Sequence, residues 1–223
     1  KIPPDFHRQL QLSSVLPVPL APHPAKGIAK TAGPLQVVWN HRWEYDKGPE
    51  LLLQVVLGLC EAKIPIRLHV VGEQFKQVPS QFPTLIDCLA KHNQQLGIAP
   101  SSIGYVESSA EYEQLLSSCD IVLSTALHDF QGLAIQEACL AGCVPLAPND
   151  LAYPDYLPEE YLYPVGDTYQ ETAQTILARL EELTDAKAAG TMPAHIDLSS
   201  YVGAEIREKY EEVFQRLLAT KKP

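Results

Sequence analysis

The sequence is poor in several things at once. No apolar run approaches the ~20 residues that cross a bilayer, and the longest, Leu51–Cys60, is interrupted by Gln54 and Gly58. This excludes a transmembrane helix. The opening, Lys1-Ile2-Pro3-Pro4-Asp5, has no apolar h-region and is not a signal peptide. It begins without Met, which suggests a fragment or a processed chain. The five cysteines (Cys60, Cys88, Cys119, Cys139 and Cys143) are odd in number and include no Cys-x-x-Cys. Most lie in apolar stretches, where a thiol acts as a small hydrophobe. A disulfide framework and a zinc site are therefore not expected, and the compartment reads as reducing and cytoplasmic. Positive charge is scarce: 17 Lys+Arg against 27 Asp+Glu give −10 and a pI near 5.1. A chain of this balance is not a nucleic-acid-binding surface as a whole. The first fifty residues are the exception, with six basic and four acidic groups against four and ten in residues 51–150. An anion would be met there.

Apolar residues (46%) and charged residues (20%) stand in an ordinary globular proportion, so there is enough apolar surface to offset chain entropy. Residues 1–33 are rich in Pro and read as a lead-in or interdomain linker, with a tail at 219–223. Between them strands and helices alternate. Gln36–Asn40, Ile66–Val71, Ile103–Val106, Ile121–Ser124 and Val144–Ala147 read as strands. Pro49–Glu61, with Pro49 in the first turn, reads as a helix. So do Gln81–Leu96 before a capping Gly97, Ser109–Ser118 with Ser109 as N-cap, Gly132–Ala141, Thr168–Leu183 and Ser200–Leu218. This alternation predicts an α/β fold, a Rossmann-like doubly wound parallel sheet spanning residues 34–218. Such sheets bind ligands in the loops at the carboxyl ends of their strands.

Two of those loops carry chemistry. After the first strand, Arg42 and Lys47 precede a helix start, where free N–H groups favour an anion. Arg42 can grip phosphate oxygens in pairs and Lys47 adds a point charge. A solvated loop with Arg42–Glu44 and Lys47–Asp46 surface pairs is the plainer alternative. After the fourth strand, Asp129 stands in a loop before Gly132, and Glu137 lies on the following helix. Carboxylates can accept from paired sugar hydroxyls. Taken singly, Asp129 also suits a helix cap and Glu137 a helix surface.

The order of these features along one chain is more specific. Arg42-x4-Lys47-Gly48, Val70-Val71-Gly72-Glu73, Gly104-Tyr105-Val106, Asp129-x7-Glu137 and Gly142-Cys143-Val144-Pro145-Leu146-Ala147 follow one another. The set resembles the donor-binding, C-terminal half of a retaining glycosyltransferase of the two-domain GT-B architecture. The string Trp39-Asn40-His41-Arg42-Trp43-Glu44-Tyr45-Asp46-Lys47, with His128-Asp129-Phe130-Gln131-Gly132 and Pro148–Asp155, is most similar to the tRNA-queuosine mannosyltransferase family. Two departures are visible. Asp129 replaces the usual first Glu, and Gln74 replaces the second Gly of Val-Gly-x-Gly.

The resemblance implies a metal-independent enzyme that moves mannose from GDP-mannose to queuosine of tRNA-Asp. The acceptor domain would lie in an N-terminal half absent from this chain, and with it most of the tRNA contact; the isolated fragment would transfer little sugar. Arg42 and Lys47 would neutralise the leaving diphosphate. Glu137 would bind the ribose, while Asp129 and the backbone of Phe130, Gln131, Gly132 and Leu133 would hold the sugar. Tyr105 and Val106 would line the base pocket by their backbone, with Gly72 beside them. His128 reads as a loop anchor sooner than a sugar ligand, and His41 as structural sooner than catalytic. No Asp-x-Asp occurs, so the cationic side chains stand where other enzymes place a metal. No further cofactor is implied. The rivals are a glycosyltransferase with another donor or acceptor, a nucleotide-sugar epimerase and a non-catalytic binding module. A dinucleotide oxidoreductase is disfavoured, since no Gly-x-Gly-x-x-Gly follows the first strand.

Overall fold

A computed structural model describes residues 13, 15–22, 30 and 32–219. Most of the Pro-rich lead-in, and the last residues of the tail, lie outside the described residues. Six parallel strands form the sheet: β1 (Leu35–Trp39), β2 (Ile66–Val71), β3 (Ile103–Gly104), β4 (Ile121–Leu123), β5 (Val144–Pro148) and β6 (Leu162–Tyr163). Their order is β3-β2-β1-β4-β5-β6. Every residue of β1, β4 and β5 is buried, because helices flank the sheet; that is why these strands read as unbroken apolar runs. Register is set along β1, where Leu35 pairs with Ile66 and Trp39 with Val70, while Val37 faces Ile121 on the other side.

The helices are α1 (Pro49–Ala62), α2 (Gln81–Leu96), α3 (Ser109–Ser118), α4 (Leu133–Leu140), α5 (Tyr169–Ala189) and α6 (Gly203–Ala219). Helix α1 buries Leu51, Leu52, Val55, Val56 and Leu59, a stripe at helical spacing, and packs against α2 and α5. A capping box starts α5: the Thr168 hydroxyl accepts from Glu171 N–H at 3.1 Å and the Glu171 carboxylate accepts from Thr168 N–H at 3.2 Å. Near its far end Lys187 donates to Asp120 at 2.6 Å, and Asp120 in turn accepts from the Gln36 N–H at 2.8 Å. This nearly buried pair ties the start of β4 to α5 and to β1.

Three expectations shift. The N-cap of α3 is Ser108, not Ser109, because Ser108 has the extended backbone and its hydroxyl accepts from Glu111 N–H. Strand β3 stops at Gly104, where φ is +94°, instead of running to Val106. Strand β6 went unread, since two residues after a three-residue 3₁₀ turn carry no periodicity. The five thiols are free; burial pushes Cys119 up to about 12, as befits packing residues.

The chain divides into two compact units, residues 22–198 and the pair of segments 1–21 and 199–223. Within the smaller unit, Leu20 bridges Val202 in parallel, and the Tyr210 hydroxyl donates to the Pro17 carbonyl at 3.0 Å. Among the described residues no helix is long and apolar enough to cross a membrane.

Candidate functional site

Strand order reverses between β1 and β4, whose chain connections run to opposite edges of the sheet. Loops leaving their carboxyl ends therefore part and frame a crevice. Both chemically interesting loops leave the sheet here, at Asn40–Gly48 and Ser124–Gly132.

The two loops interlock. Trp39 Nε1–H donates to Thr125 Oγ1 at 2.9 Å, and the Thr125 hydroxyl donates to the Lys47 carbonyl at 2.8 Å. The Asp46 carbonyl accepts from the N–H groups of Leu127 (2.8 Å) and His128 (3.1 Å). Gly48 closes the first loop at φ +66°, and a Cβ there would overlap the Thr125 carbonyl oxygen. Only glycine satisfies both demands. The second glycine, Gly72 after β2, packs against the His41 carbonyl just as tightly at φ +150°.

Lys47 is buried, its side chain 10% exposed, so the solvated-loop picture fails for it although the Lys47–Asp46 pair exists. Its ammonium donates to the His128 carbonyl at 2.8 Å and lies 3.2 Å from Asp46 and 3.6 Å from Asp129. Lys47 and Asp129, 82 positions apart, thus meet across the crevice. Asp129 Oδ1 accepts from the Gly132 N–H at 3.0 Å, just before α4, and Oδ2 accepts from the Tyr153 hydroxyl at 3.2 Å. Desolvation would raise its pKa, but Lys47, the Gly132 N–H, His41 and Tyr153 together hold it below the usual value.

A directed relay extends from that carboxylate. An ionised Asp129 can only accept, so Tyr153 donates to it. Tyr153 then accepts from the Ser124 hydroxyl at 2.8 Å, and Ser124 accepts from His41 Nε2 at 3.0 Å. Direction along the chain assigns His41 the Nε2–H tautomer. Burial keeps that ring neutral, with its pKa lowered to about 4. His41 ends the relay. His128 lends its carbonyl to Lys47 and its ring edge to Phe130, centroids 4.7 Å apart.

The remaining residues spread along the crevice. Arg42 is half exposed and pairs with Glu44 at 3.1 Å. It lines a cavity of ≈ 280 Å³ with Asn40, Gly72, Tyr105, Val106, Glu107 and Tyr112, among others. This brings Arg42, Gly72, Tyr105 and Val106 together and leaves Lys47, Asp129 and Phe130–Leu133 outside the cavity, on the β4 side. Phe130 projects into solvent, 87% exposed; Gln131 donates to Gln136 at 2.8 Å; Leu133 opens α4. Glu137 forms no ion pair with another described residue, and desolvation of its carboxyl raises its pKa. Its charge also raises the nearby Tyr112 phenol, after burial, the larger cause. Glu137 therefore stands within electrostatic reach of the cavity wall.

Sequence reasoning missed Asn40, Ser124, Tyr112 and Tyr153. Asn40 is 6% exposed and its Nδ2 donates to Tyr112 (3.0 Å) and to the Ala134 carbonyl (2.9 Å), leaving Oδ1 without a partner. Asn40 and Ser124 directly follow β1 and β4, Tyr153 sits on the turn after β5 and Tyr112 lies on α3, and nothing in spacing alone links them. Among the described residues no three His, Cys, Asp or Glu side chains gather as metal ligands.

Comparison with known proteins bears on this arrangement. Residues 26–189 match the family described as glycosyl transferases group 1. The chain is 37% identical over 129 residues to a tRNA-queuosine alpha-mannosyltransferase of Drosophila melanogaster, covering 58% of this chain and 32% of that protein. It thus spans about a third of that relative's length. In structure it is similar to the pneumococcal O-GlcNAc transferase GtfA solved in complex with UDP and GlcNAc (TM-score 0.60, 17% identity, 83% of this chain and 36% of that one). It is also similar to the C-terminal domain of LpcC, a glycosyl transferase group 1 family protein from Francisella tularensis (TM-score 0.53, 19% identity, 71% of this chain and 80% of that one). At these identities the two structures bear on fold alone: the α/β sheet is that of a GT-B glycosyltransferase half.

Proposed function

The chain belongs to the group 1 glycosyl transferases, and from that premise we propose that its crevice binds GDP-mannose and that, within a two-domain enzyme, it serves transfer of mannose to queuosine in tRNA-Asp with retention at the anomeric carbon. The observation that carries the donor half of this reading is the meeting of Lys47 and Asp129 at the switch point, 3.6 Å apart. One is a cation for the diphosphate and the other a carboxylate for the sugar. The mannosyl donor and tRNA acceptor rest on likeness to the queuosine enzyme, and a nucleotide donor agrees with the UDP held by GtfA.

Breaking the bond between the anomeric carbon and a diphosphate oxygen leaves negative charge on the departing group. Preformed charge placed there can supply much of the catalysis. In the proposal Lys47 and Arg42 supply it without a metal. The Asp46 carboxylate, 35% exposed, stands at the Lys47 ammonium where a phosphate oxygen would replace it. Asp129 accepts from Gly132 and Tyr153 and faces Lys47, so its oxygens are committed to donors and it is placed to orient the sugar, not to attack it. Glu137 takes the ribose and the backbone from Phe130 to Leu133 the sugar. Tyr105 and Val106 line the base, with Gly72 nearby.

The deciding experiment is mass spectrometry of tRNA nucleosides after incubation of the full-length enzyme with GDP-mannose and bulk tRNA. A hexose added to queuosine is expected; sugar turnover without acceptor would point to an epimerase. Calorimetry of GDP binding with and without EDTA tests metal independence, and a large loss on chelation refutes it.

A further inference from the structure

We propose that Glu107 reads the Watson–Crick edge of the donor base and selects guanine, an inference that rests on the donor-site reading above. The cavity beside the switch point is uneven in its chemistry. Arg42 lines it together with Glu73 and Glu107, whose acceptor oxygens make no ion pair with any described residue. Asn40 adds another acceptor. Its amide is oriented by the Ala134 carbonyl, which can only accept, so the nitrogen faces Ala134 and Oδ1 is the atom left over. A buried acceptor without a donor is a cost that a ligand N–H or O–H relieves.

On the donor-site reading, charge sorts a nucleoside diphosphate across this surface. Its phosphates go to Arg42 and Lys47, and the base goes to the acceptor-rich wall. Tyr105, 63% exposed, offers that base a ring face, and Glu107 lines the same cavity two residues on. Guanine presents N1–H and the 2-amino group side by side, and a carboxylate accepts from both at once. Uracil presents one N–H between two carbonyls, which the same carboxylate repels. Adenine offers an amino group but a bare N1. Of the common bases only guanine matches two adjacent acceptors.

The test is calorimetry of wild-type protein, Glu107→Gln and Glu73→Gln with GDP, UDP and inosine diphosphate, which is GDP without the 2-amino group. Wild type should prefer GDP over the other two by about tenfold or more, as expected for a charge-assisted pair at a partly open site. In Glu107→Gln, where one acceptor oxygen becomes a donor, the preference should shrink to about twofold with the melting temperature unchanged. Glu73→Gln should keep it. Equal binding of GDP and UDP by wild type, or an undiminished preference in Glu107→Gln, overturns the role of Glu107 and leaves the donor site standing. Failure of wild type to bind any of the three overturns the donor-site reading and this inference with it.

Discussion

The two ends of the crevice are built by opposite rules. At the switch point every group is tied: Lys47 to His128, Asp46 and Asp129, and Asp129 onward through Tyr153 and Ser124 to His41. At the far end Tyr105 and Glu107 are exposed, and Arg42 pairs with Glu44 alone among the described residues. The tied end suits a ligand part whose developing charge must meet fixed dipoles, since groups already in place need not reorganise as the reaction proceeds. The open end suits a part that only has to be recognised. A side chain at the tied end therefore serves fold and ligand together, while one at the open end can serve the ligand alone.

Breaking the tied end should have the largest effect. Lys47→Ala removes the one ammonium facing both carboxylates. It should weaken GDP by roughly 10- to 100-fold and lower folding stability by about 1–3 kcal/mol, with guanosine affected far less. Calorimetry with the two ligands and urea unfolding check this, and equal loss for both ligands would make Lys47 purely a clamp. Gly48→Ala forces a Cβ onto the Thr125 carbonyl at positive φ, and should cost about 2–3 kcal/mol of stability by the same unfolding measurement.

Acid should undo the tied end next. Burial lowers His41 to about 4, and burial followed by Arg67 lowers His69 to about 4. Between their ordinary value of 6.5 and about 4 the unfolded chain takes up protons that the folded chain refuses, so stability falls as pH falls through that window. The slope is about 1.4 kcal/mol per pH unit for each histidine. His92, lowered by burial too, adds to the same trend, and His41→Gln should remove only the share of His41 from unfolding curves taken from pH 7 to 4. Asp129, held below its ordinary value, adds stability at neutral pH that is lost only as its own lower pKa is passed. At the open end, Arg42→Ala should weaken GDP about three- to tenfold with the melting temperature nearly unchanged, because its pair with Glu44 is exposed. Smallest of all, Asp46→Asn should tighten GDP about two- to threefold by removing a rival for Lys47. Weaker binding would mean that Asp46 is needed to hold the loop.

The same contrast marks what could be read before the structure. The sheet was legible because buried parallel strands are continuous apolar runs, and the sites because they follow such strands. Strand β6 was not, for two residues set no period. Arg42 and Lys47 could be found as cations before a helix, but burial of Lys47 depends on Asp129 arriving from 82 residues away. Asp129 is not the N-cap of α4, which is Gly132; its carboxylate accepts from the Gly132 N–H just before the helix and faces Lys47, an arrangement that only the fold of both loops creates. The Asn40 orphan acceptor and the relay through Ser124 and Tyr153 were illegible, since each is a pairing across loops that spacing along the chain does not encode.

Gly72 and Gly104 give the molecule a seam. Up to Gly104 the backbone is sewn into its neighbours: Gly72 N–H donates to the Gly104 carbonyl at 3.1 Å, and Trp43 N–H to the Glu73 carbonyl at 2.9 Å. From Tyr105 to Glu107 no such backbone stitch joins another loop among the described residues, and order resumes at the Ser108 cap of α3. Three residues between two fixed points make an exchangeable cartridge. On the proposed donor reading, replacing Tyr105-Val106-Glu107 by other triplets should change which nucleotide binds while the Lys47–Asp129 end stays in register.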